Sequence, residues 1–170
     1  MSAELIIGGA RSGKSALAER RAIDSGLDVV YVATATVIGN DDDEMPERIA
    51  HHRARRPAHW RTEEEPRQLA AKLGELAAPD RLLLVDCLTL WLTNLMLGHG
   101  LEPERGYLLE VLPKLPGRII LVSNEVGWGI VPMNELSRRF ADEQGHLNQA
   151  VAAVCSKVTL VAAGLPLELK

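Results

Sequence analysis

Five short runs of apolar residues recur along this chain, and polar stretches with helical character separate them. The runs are rich in Val, Ile and Leu and lack strict alternation of apolar and polar positions, the pattern of strands buried on both faces of a sheet. They cover residues 5–7, 29–33, 82–86, 118–123 and 158–162. Because helix-favouring stretches lie between them, we expect an α/β fold, a three-layer α/β/α sandwich with a mainly parallel sheet.

Helices are predicted between these strands from periodicity and from capping residues. The predicted spans are 15–21, 44–56, a stretch that opens at Pro66 and fades at Ala78, 88–97, 104–112, and a long helix capped by Asn134 that reaches about residue 156, with a candidate interruption at Gly145. Residues 165–169 follow Ala163-Gly164, which predicts a closing hairpin and an antiparallel C-terminal edge strand.

Length and composition limit the class of protein. A chain of 170 residues fits one domain, so we expect a single nucleotide-binding domain over residues 1–170. The formal net charge of −4 argues against a nucleic-acid-binding surface. No membrane span and no signal peptide are visible, which predicts a cytoplasmic protein. Cys87 and Cys155 have no zinc-site spacing and are expected to be small buried residues.

The first predicted strand runs into the sequence G-G-A-R-S-G-K-S, which fits the phosphate-binding pattern G-x-x-x-x-G-K-[ST]. Glycines let successive backbone N–H groups turn toward phosphate oxygens, and the following helix adds its positive end. The alternative is a glycine-rich turn without a ligand, but the strand before and the helix after favour a P-loop that binds a nucleoside triphosphate. The predicted phosphate-binding residues are Gly8, Gly9, Ala10, Arg11, Ser12, Gly13, Lys14 and Ser15.

Within this loop Lys14 is expected to reach the β- and γ-phosphates, and the Ser15 hydroxyl to bind Mg²⁺. A second Mg²⁺ ligand is predicted at Asp86, because the apolar run at 82–85 ends in that carboxylate as a Walker B strand does. The alternative is an ordinary strand followed by a solvated aspartate. The P-loop upstream favours the metal site.

Histidine and arginine share one face of the predicted helix 44–56. Arg48, His51 and Arg55 stand at i, i+3 and i+7, so His51 lies within a basic stripe. Such cations would keep the imidazole neutral and stabilise phosphate oxygens while it attacks a phosphorus atom. Two other interpretations stay open here, a solvated histidine and an arginine-rich lid of a small-molecule kinase. A GTP-dependent switch is not favoured, because the chain has no N-K-x-D segment that would read guanine.

Further stretches extend the pattern over most of the chain: Y-V-A-T-A at 31–35, D-D-E-M-P-E-R-I-A-H-H-R at 42–53, R-P-A-H-W-R-T at 56–62, D-C-L-T-L-W-L-T-N at 86–94, S-N-E-V-G-W-G-I-V-P at 123–132 and G-x-L-N-Q at 145–149. Together with the P-loop, the sequence resembles the bifunctional adenosylcobinamide kinase / adenosylcobinamide-phosphate guanylyltransferases of cobalamin synthesis.

This resemblance implies two activities in one chain. The first phosphorylates adenosylcobinamide with ATP or GTP. The second transfers GMP from GTP to adenosylcobinamide phosphate through a guanylylated histidine, giving adenosyl-GDP-cobinamide. The first histidine of the family's pair is the nucleophile, which corresponds to His51. The family is also trimeric, which implies a homotrimer.

The resemblance further implies GTP contacts at the P-loop and at a second set of residues, which are Ala33, Thr34, Ala35, His52, Arg53, Ala54, Arg55, Glu64 and Asp86. The sequence departs from the family at three places. Ala35 replaces a frequent serine, Asn40-Asp41 is a small insertion, and the run Glu63–Glu65 leaves open whether the contact falls on Glu64 or on a neighbour.

Overall fold

The computed structural model describes residues 2–35, 56–98 and 100–170, which contain one sheet of seven strands. The strands are β1 (Ser2–Gly8), β2 (Asp28–Ala33), β3 (Arg61–Glu64), β4 (Arg81–Asp86), β5 (Arg118–Asn124), β6 (Lys157–Ala162) and β7 (Leu165–Glu168). Their order across the sheet is β3-β2-β4-β5-β1-β6-β7. All neighbouring pairs are parallel except β6–β7, so the predicted antiparallel edge strand is confirmed.

Helices connect the strands and cover both faces of the sheet. They are α1 (Lys14–Asp24), α2 (Leu69–Leu76), α3 (Leu88–Gly98), α4 (Leu101–Val111), a 3₁₀ turn at Leu112–Lys114, and α5 (Glu135–Val154). Helix α1 packs on β1, β4 and β5, and α5 packs on β1 as well as on α3 and α4. The three-layer α/β/α architecture expected from the alternation of strands and helices is confirmed.

Successive strand residues point to opposite faces, and both faces are buried. On the α1 face, Ile6, Leu84 and Val122 pack with Leu17 of α1. On the other face, the neighbouring strand residues pack against α2–α5 around Trp91, whose side chain is fully buried. A sheet covered on both sides explains why the strands read as continuous apolar runs. Each fully buried aliphatic side chain contributes about 1.5–3 kcal/mol to this core.

Three local expectations were wrong. Strand β3 was not predicted, because its sequence R-T-E-E is polar and only its backbone pairing with β2 defines it. Helix α4 begins at Leu101, since Pro103 is tolerated in the first turn of a helix and does not break it there. Helix α5 runs without interruption through Gly145, and Asn134 caps it by accepting a hydrogen bond from Ser137 N at 2.7 Å.

Helix α2 begins at Leu69, later than the expected opening at Pro66, and the expected helix over 44–56 lies almost wholly outside the described residues. Gly26 has a φ of 67°, as expected for a glycine just beyond the end of α1. Cys87 and Cys155 are free and buried, and burial raises the pKa of each thiol to about 11. Within the described ranges, no helix is long and apolar enough to cross a membrane.

Candidate active site at the carboxyl edge of the sheet

The loop between β1 and α1 has the backbone geometry of a phosphate cradle. A Cβ on Gly8 would lie 2.5 Å from the carbonyl oxygen of Val161, so no larger residue fits there without moving β6. Gly13 has a φ of 97°, a conformation that L side chains rarely adopt. Arg11 between them also has a positive φ, of 56°. The motif glycines therefore stand where close approach and left-handed backbone require them.

Lys14 is the cation of this cradle. Its side chain is buried at the start of α1, and Nζ donates a hydrogen bond to Gly9 O at 3.0 Å, which folds the ammonium group back over the loop. Gly13 precedes the helix without a side-chain cap among the described residues. The first N–H groups of α1 and the Lys14 ammonium thus lie together, an arrangement that favours a bound anion. Ser15 follows in the first turn and is half-buried.

The turn between β6 and β7 contacts the backbone of the cradle. Gly164 N donates to Ser12 O at 2.8 Å, and Gly164 Cα lies 3.3 Å from the position of a Cβ on Gly13. The turn that the sequence predicted as a closing hairpin therefore also fixes the shape of the phosphate loop.

Asp86 ends β4 at the same edge of the sheet, and Tyr31 of β2 orients it. The phenol oxygen of Tyr31 donates to Asp86 Oδ2 at 3.0 Å. Burial, together with the negative charge of Asp86, raises the pKa of Tyr31, so the phenol keeps its proton and remains a hydrogen-bond donor. A carboxylate held in this way presents hard oxygen ligands in a fixed direction, which suits Mg²⁺.

Strand register brings three of the predicted nucleotide contacts together. Ala33 pairs with Glu64 on one side and with Asp86 on the other. Thr34 follows, but its hydroxyl is engaged in structure, donating to Cys87 O at 2.7 Å and accepting from Cys87 N at 3.0 Å. The Thr34 carbonyl accepts from Asn94 Nδ2 at 2.8 Å. The Thr34 N–H donates to Asp86 O at 3.5 Å, and the residue is fully buried, so Thr34 holds the end of β2 in place. Ala35, half-buried, comes next.

The neighbours of Glu64 have other roles. Glu63 is paired with Arg61 at 2.6 Å. Glu65 Oε1 accepts from Arg67 N at 2.9 Å and from Gln68 N at 2.7 Å, which fixes the turn before α2. Glu64 is exposed at the end of β3. Glu63 and Glu65 thus have structural contacts, and the assignment of the GTP contact to Glu64 stays a prediction.

Arg56 lies against the cradle side of β2. Its guanidinium carbon stands 3.4 Å from the centroid of the Tyr31 ring, a cation–π contact. Arg56 therefore stacks on the same side chain that binds Asp86. Sequence reasoning assigned a site role to neither Tyr31 nor Arg56. The sequence feature that could have indicated such a role is their position in two of the family-like stretches, 31–35 and 56–62.

The structure brings together Gly8–Ser15, Ala33–Ala35, Glu64 and Asp86 at one edge. The predicted helix 44–56 lies outside the described residues, apart from its last residue, Arg56, which forms a bend. The site residues predicted on this helix lie outside them as well: Arg48, His51, His52, Arg53, Ala54 and Arg55.

The family of the chain follows from comparison with known sequences. A sequence model of the cobinamide kinase / cobinamide phosphate guanyltransferase family matches residues 4–169. The chain belongs to this family. The resemblance stated from the motifs is thereby confirmed.

Individual relatives agree with this assignment. The bifunctional adenosylcobalamin biosynthesis protein CobP of Pseudomonas aeruginosa is 62% identical over 170 residues, covering 98% of this chain and 96% of that protein. The bifunctional adenosylcobalamin biosynthesis protein CobU of Salmonella typhimurium is 40% identical over 182 residues, covering 98% of each chain.

Solved structures of more distant proteins share the fold. The flagellar accessory protein FlaH of Methanocaldococcus jannaschii has a TM-score of 0.54 at 14% identity, over 99% of this chain and 78% of that one. The RadB recombinase has a TM-score of 0.54 at 19% identity, over 94% of this chain and 73% of that one. These two likenesses bear on the fold alone.

Proposed function

We propose that this chain catalyses both reactions named in its family. It phosphorylates a hydroxyl of adenosylcobinamide with ATP or GTP, and it then transfers GMP from GTP to the new phosphate to give adenosyl-GDP-cobinamide. The observation that carries the proposal is the Gly8–Ser15 cradle, with a buried Lys14, in a chain that the family matches from residue 4 to residue 169.

In the kinase step the acceptor hydroxyl oxygen attacks the γ-phosphorus of the nucleotide and gives up its proton. The bond from this phosphorus to the β–γ bridging oxygen breaks, and the electron pair leaves with the nucleoside diphosphate. The backbone N–H groups of the loop and the Lys14 ammonium hold the phosphates and stabilise the charge that grows on the leaving oxygen.

In the guanylyl step the imidazole of His51 attacks the α-phosphorus of GTP, and pyrophosphate leaves. The phosphate of adenosylcobinamide phosphate then attacks the same phosphorus and releases His51. One cradle serves both steps because it binds the β- and γ-phosphates in each. Residues Ala33–Ala35, His52–Arg55 and Glu64 are assigned to the nucleoside and α-phosphate end.

Mg²⁺ is the metal that we assign to this site, with Ser15 and Asp86 as its protein ligands. Both supply only oxygen, and the contact from Tyr31 orients the carboxylate, so the donor set fits a hard cation. When bound to the nucleotide, the ion neutralises phosphate charge. The protein's own part is to hold the two oxygen donors beside the cradle.

The test is a product assay with the purified protein, adenosylcobinamide, ATP and GTP. We expect cobinamide phosphate with ATP alone and GDP-cobinamide after GTP is added, and EDTA should stop both until excess Mg²⁺ is restored. Mg²⁺-dependent quenching of a fluorescent GTP analogue gives a binding readout that does not depend on turnover. Phosphate product without any GDP-cobinamide would replace the bifunctional proposal with that of a plain kinase whose arginines form a lid.

A further inference from the structure

The strand order places one more carboxylate beside the cradle. Strand β5 lies between β1, which leads into the cradle, and β4, which ends in Asp86. Asn124 of β5 pairs with Gly8, and the next residue, Glu125, donates its backbone N–H to Gly8 O at 2.9 Å. Glu125 therefore leaves the sheet directly beside the first residue of the cradle, on the side toward Asp86.

A buried polar network fixes the end of β5. Asn124 N donates to Thr89 Oγ1 at 2.9 Å, and Asn124 O accepts from Asn148 Nδ2 at 3.0 Å. Asn148 Oδ1 in turn accepts from Ser123 Oγ at 2.7 Å and from Gln144 Nε2 at 3.1 Å. The four side chains in this network are almost completely buried. Gln144 Oε1 has no partner among the described residues, but the other contacts tie the end of β5 to α3 and α5 and hold the backbone before Glu125 in place.

The Glu125 side chain is held by its own loop. Oε1 accepts from Gly127 N at 2.9 Å, which holds the carboxylate against the backbone at the start of the loop. Glu125 is half-buried, whereas the residues from Val126 to Val131 are exposed. A carboxylate offers about four acceptor positions on its two oxygens, and one backbone N–H leaves room for a ligand hydroxyl.

We propose that Glu125 is the general base of the kinase step, a role that rests on the proposed function. Its carboxylate takes the proton from the acceptor hydroxyl as the hydroxyl oxygen bonds to the γ-phosphorus. The bond from that phosphorus to the β–γ bridging oxygen breaks, and the electron pair leaves on the nucleoside diphosphate. The products are the phosphate monoester, the diphosphate and a protonated Glu125, which returns its proton to water.

Other acidic side chains at this edge are committed elsewhere. Asp86 binds Tyr31 and is assigned to Mg²⁺, and Glu64 is assigned to the nucleoside end of the nucleotide. Glu63 pairs with Arg61, and Glu65 orders the turn before α2. Glu125 directly follows β5, which pairs with β1, the strand that leads into the cradle.

The guanylyl step has no need for this base. Its first nucleophile is a neutral imidazole nitrogen, and its second is a phosphate oxygen that is already ionised. Neither attack requires that a hydroxyl proton be removed. Loss of the Glu125 carboxylate should therefore separate the two activities of the enzyme, and this separation is the basis of the test.

The experiment compares Glu125→Gln with the wild-type chain in three assays: phosphorylation of cobinamide by ATP, covalent labelling by GTP carrying the label in its α-phosphate without acceptor, and affinity for a fluorescent ATP analogue. We expect kinase kcat to fall by about 10²–10⁴-fold, the usual contribution of a general base. Labelling and affinity should stay within about threefold. Glu125→Asp keeps a carboxylate and should retain more kinase activity than Glu125→Gln.

Glu135→Gln is the matched control, since Glu135 is exposed in the first turn of α5 at the other end of the same loop. It should leave all three readouts unchanged. Kinase kcat of Glu125→Gln within threefold of wild type would overturn the assignment. An equal loss of kinase activity, labelling and nucleotide affinity would also overturn it, because Glu125 would then be needed for the structure of the cradle and not for proton removal. Absence of labelling in the wild-type protein would instead count against the proposed function.

Discussion

At the scale of single residues, Lys14 is the side chain on which both reactions depend most. Its ammonium group is buried and bound to Gly9 O, ready to exchange that carbonyl for phosphate oxygens. We expect Lys14→Ala to lower kinase turnover and covalent labelling each by at least about 10²-fold, as for the loss of one preorganised donor to a developing charge.

Lys114→Ala is the control for this variant, because Lys114 is exposed in the 3₁₀ turn that precedes β5 at the opposite edge of the sheet. Initial rates and label incorporation would be measured side by side. Kinase turnover of Lys14→Ala within a few-fold of wild type would refute the assignment of the cradle.

Tyr31 acts through Asp86 and is a positioning residue. Tyr31→Phe removes the 3.0 Å hydrogen bond to Asp86 but keeps the ring on which Arg56 stacks. A hydrogen bond to a charged group contributes about 1.5–3 kcal/mol, so we expect about a tenfold or greater loss of kcat/KM in both reactions. The Mg²⁺ concentration for half-maximal activity should rise as well.

Tyr107→Phe makes the same change on the exposed tyrosine of α4 and should leave kcat/KM and the Mg²⁺ requirement unchanged. If Tyr31→Phe leaves the Mg²⁺ requirement unchanged, the phenol does not orient the metal ligand, and its hydrogen bond serves packing alone.

At the scale of elements, the cradle depends on glycine at particular positions. A Cβ on Gly8 would meet the Val161 backbone oxygen at 2.5 Å, whereas a Cβ on Gly9 would meet nothing within 4 Å. We therefore expect Gly8→Ala to lower the thermal midpoint and to weaken nucleotide binding at least about tenfold, because either β6 or the loop must shift. Gly9→Ala should change binding by less than about twofold. Equal effects of the two variants, measured by thermal unfolding and nucleotide titration, would contradict this account of the loop.

The elements also show how far the sequence could predict the site. The P-loop and Asp86 were predictable because a fixed spacing and a run of buried apolar residues encode them locally. Strand β3 was not, since its polar residues give no pattern and only pairing with β2 defines it. The contacts of Tyr31 with Asp86 and of Glu125 with Gly8 depend on strand order, which brings together residues far apart in the chain. Local patterns do not specify strand order.

At the scale of the whole molecule, we expect a homotrimer built from single-domain chains of residues 1–170. Several large apolar side chains are exposed between residues 126 and 136, with Trp128 at 76% and Ile130 at 96%. Exposed apolar groups in such number favour an association surface. Light scattering after gel filtration should give three times the 18.6 kDa of one chain. A monomer at micromolar concentration would contradict the trimer.

The central claim is that one chain adds a phosphoryl group through its cradle and a guanylyl group through His51. The most direct measurement is covalent labelling with GTP that carries the label in its α-phosphate, followed by denaturing electrophoresis, for the wild type, His51→Ala and His52→Ala. On the helix predicted over residues 44–56, adjacent side chains would point about 100° apart, so the two histidines would not share one attack position. We expect label on the wild type and on His52→Ala, none on His51→Ala, and kinase activity in all three proteins. The label should be lost in acid and kept in alkali, as for a phosphoramidate. Label on His51→Ala, or an acid-stable bond, would contradict it.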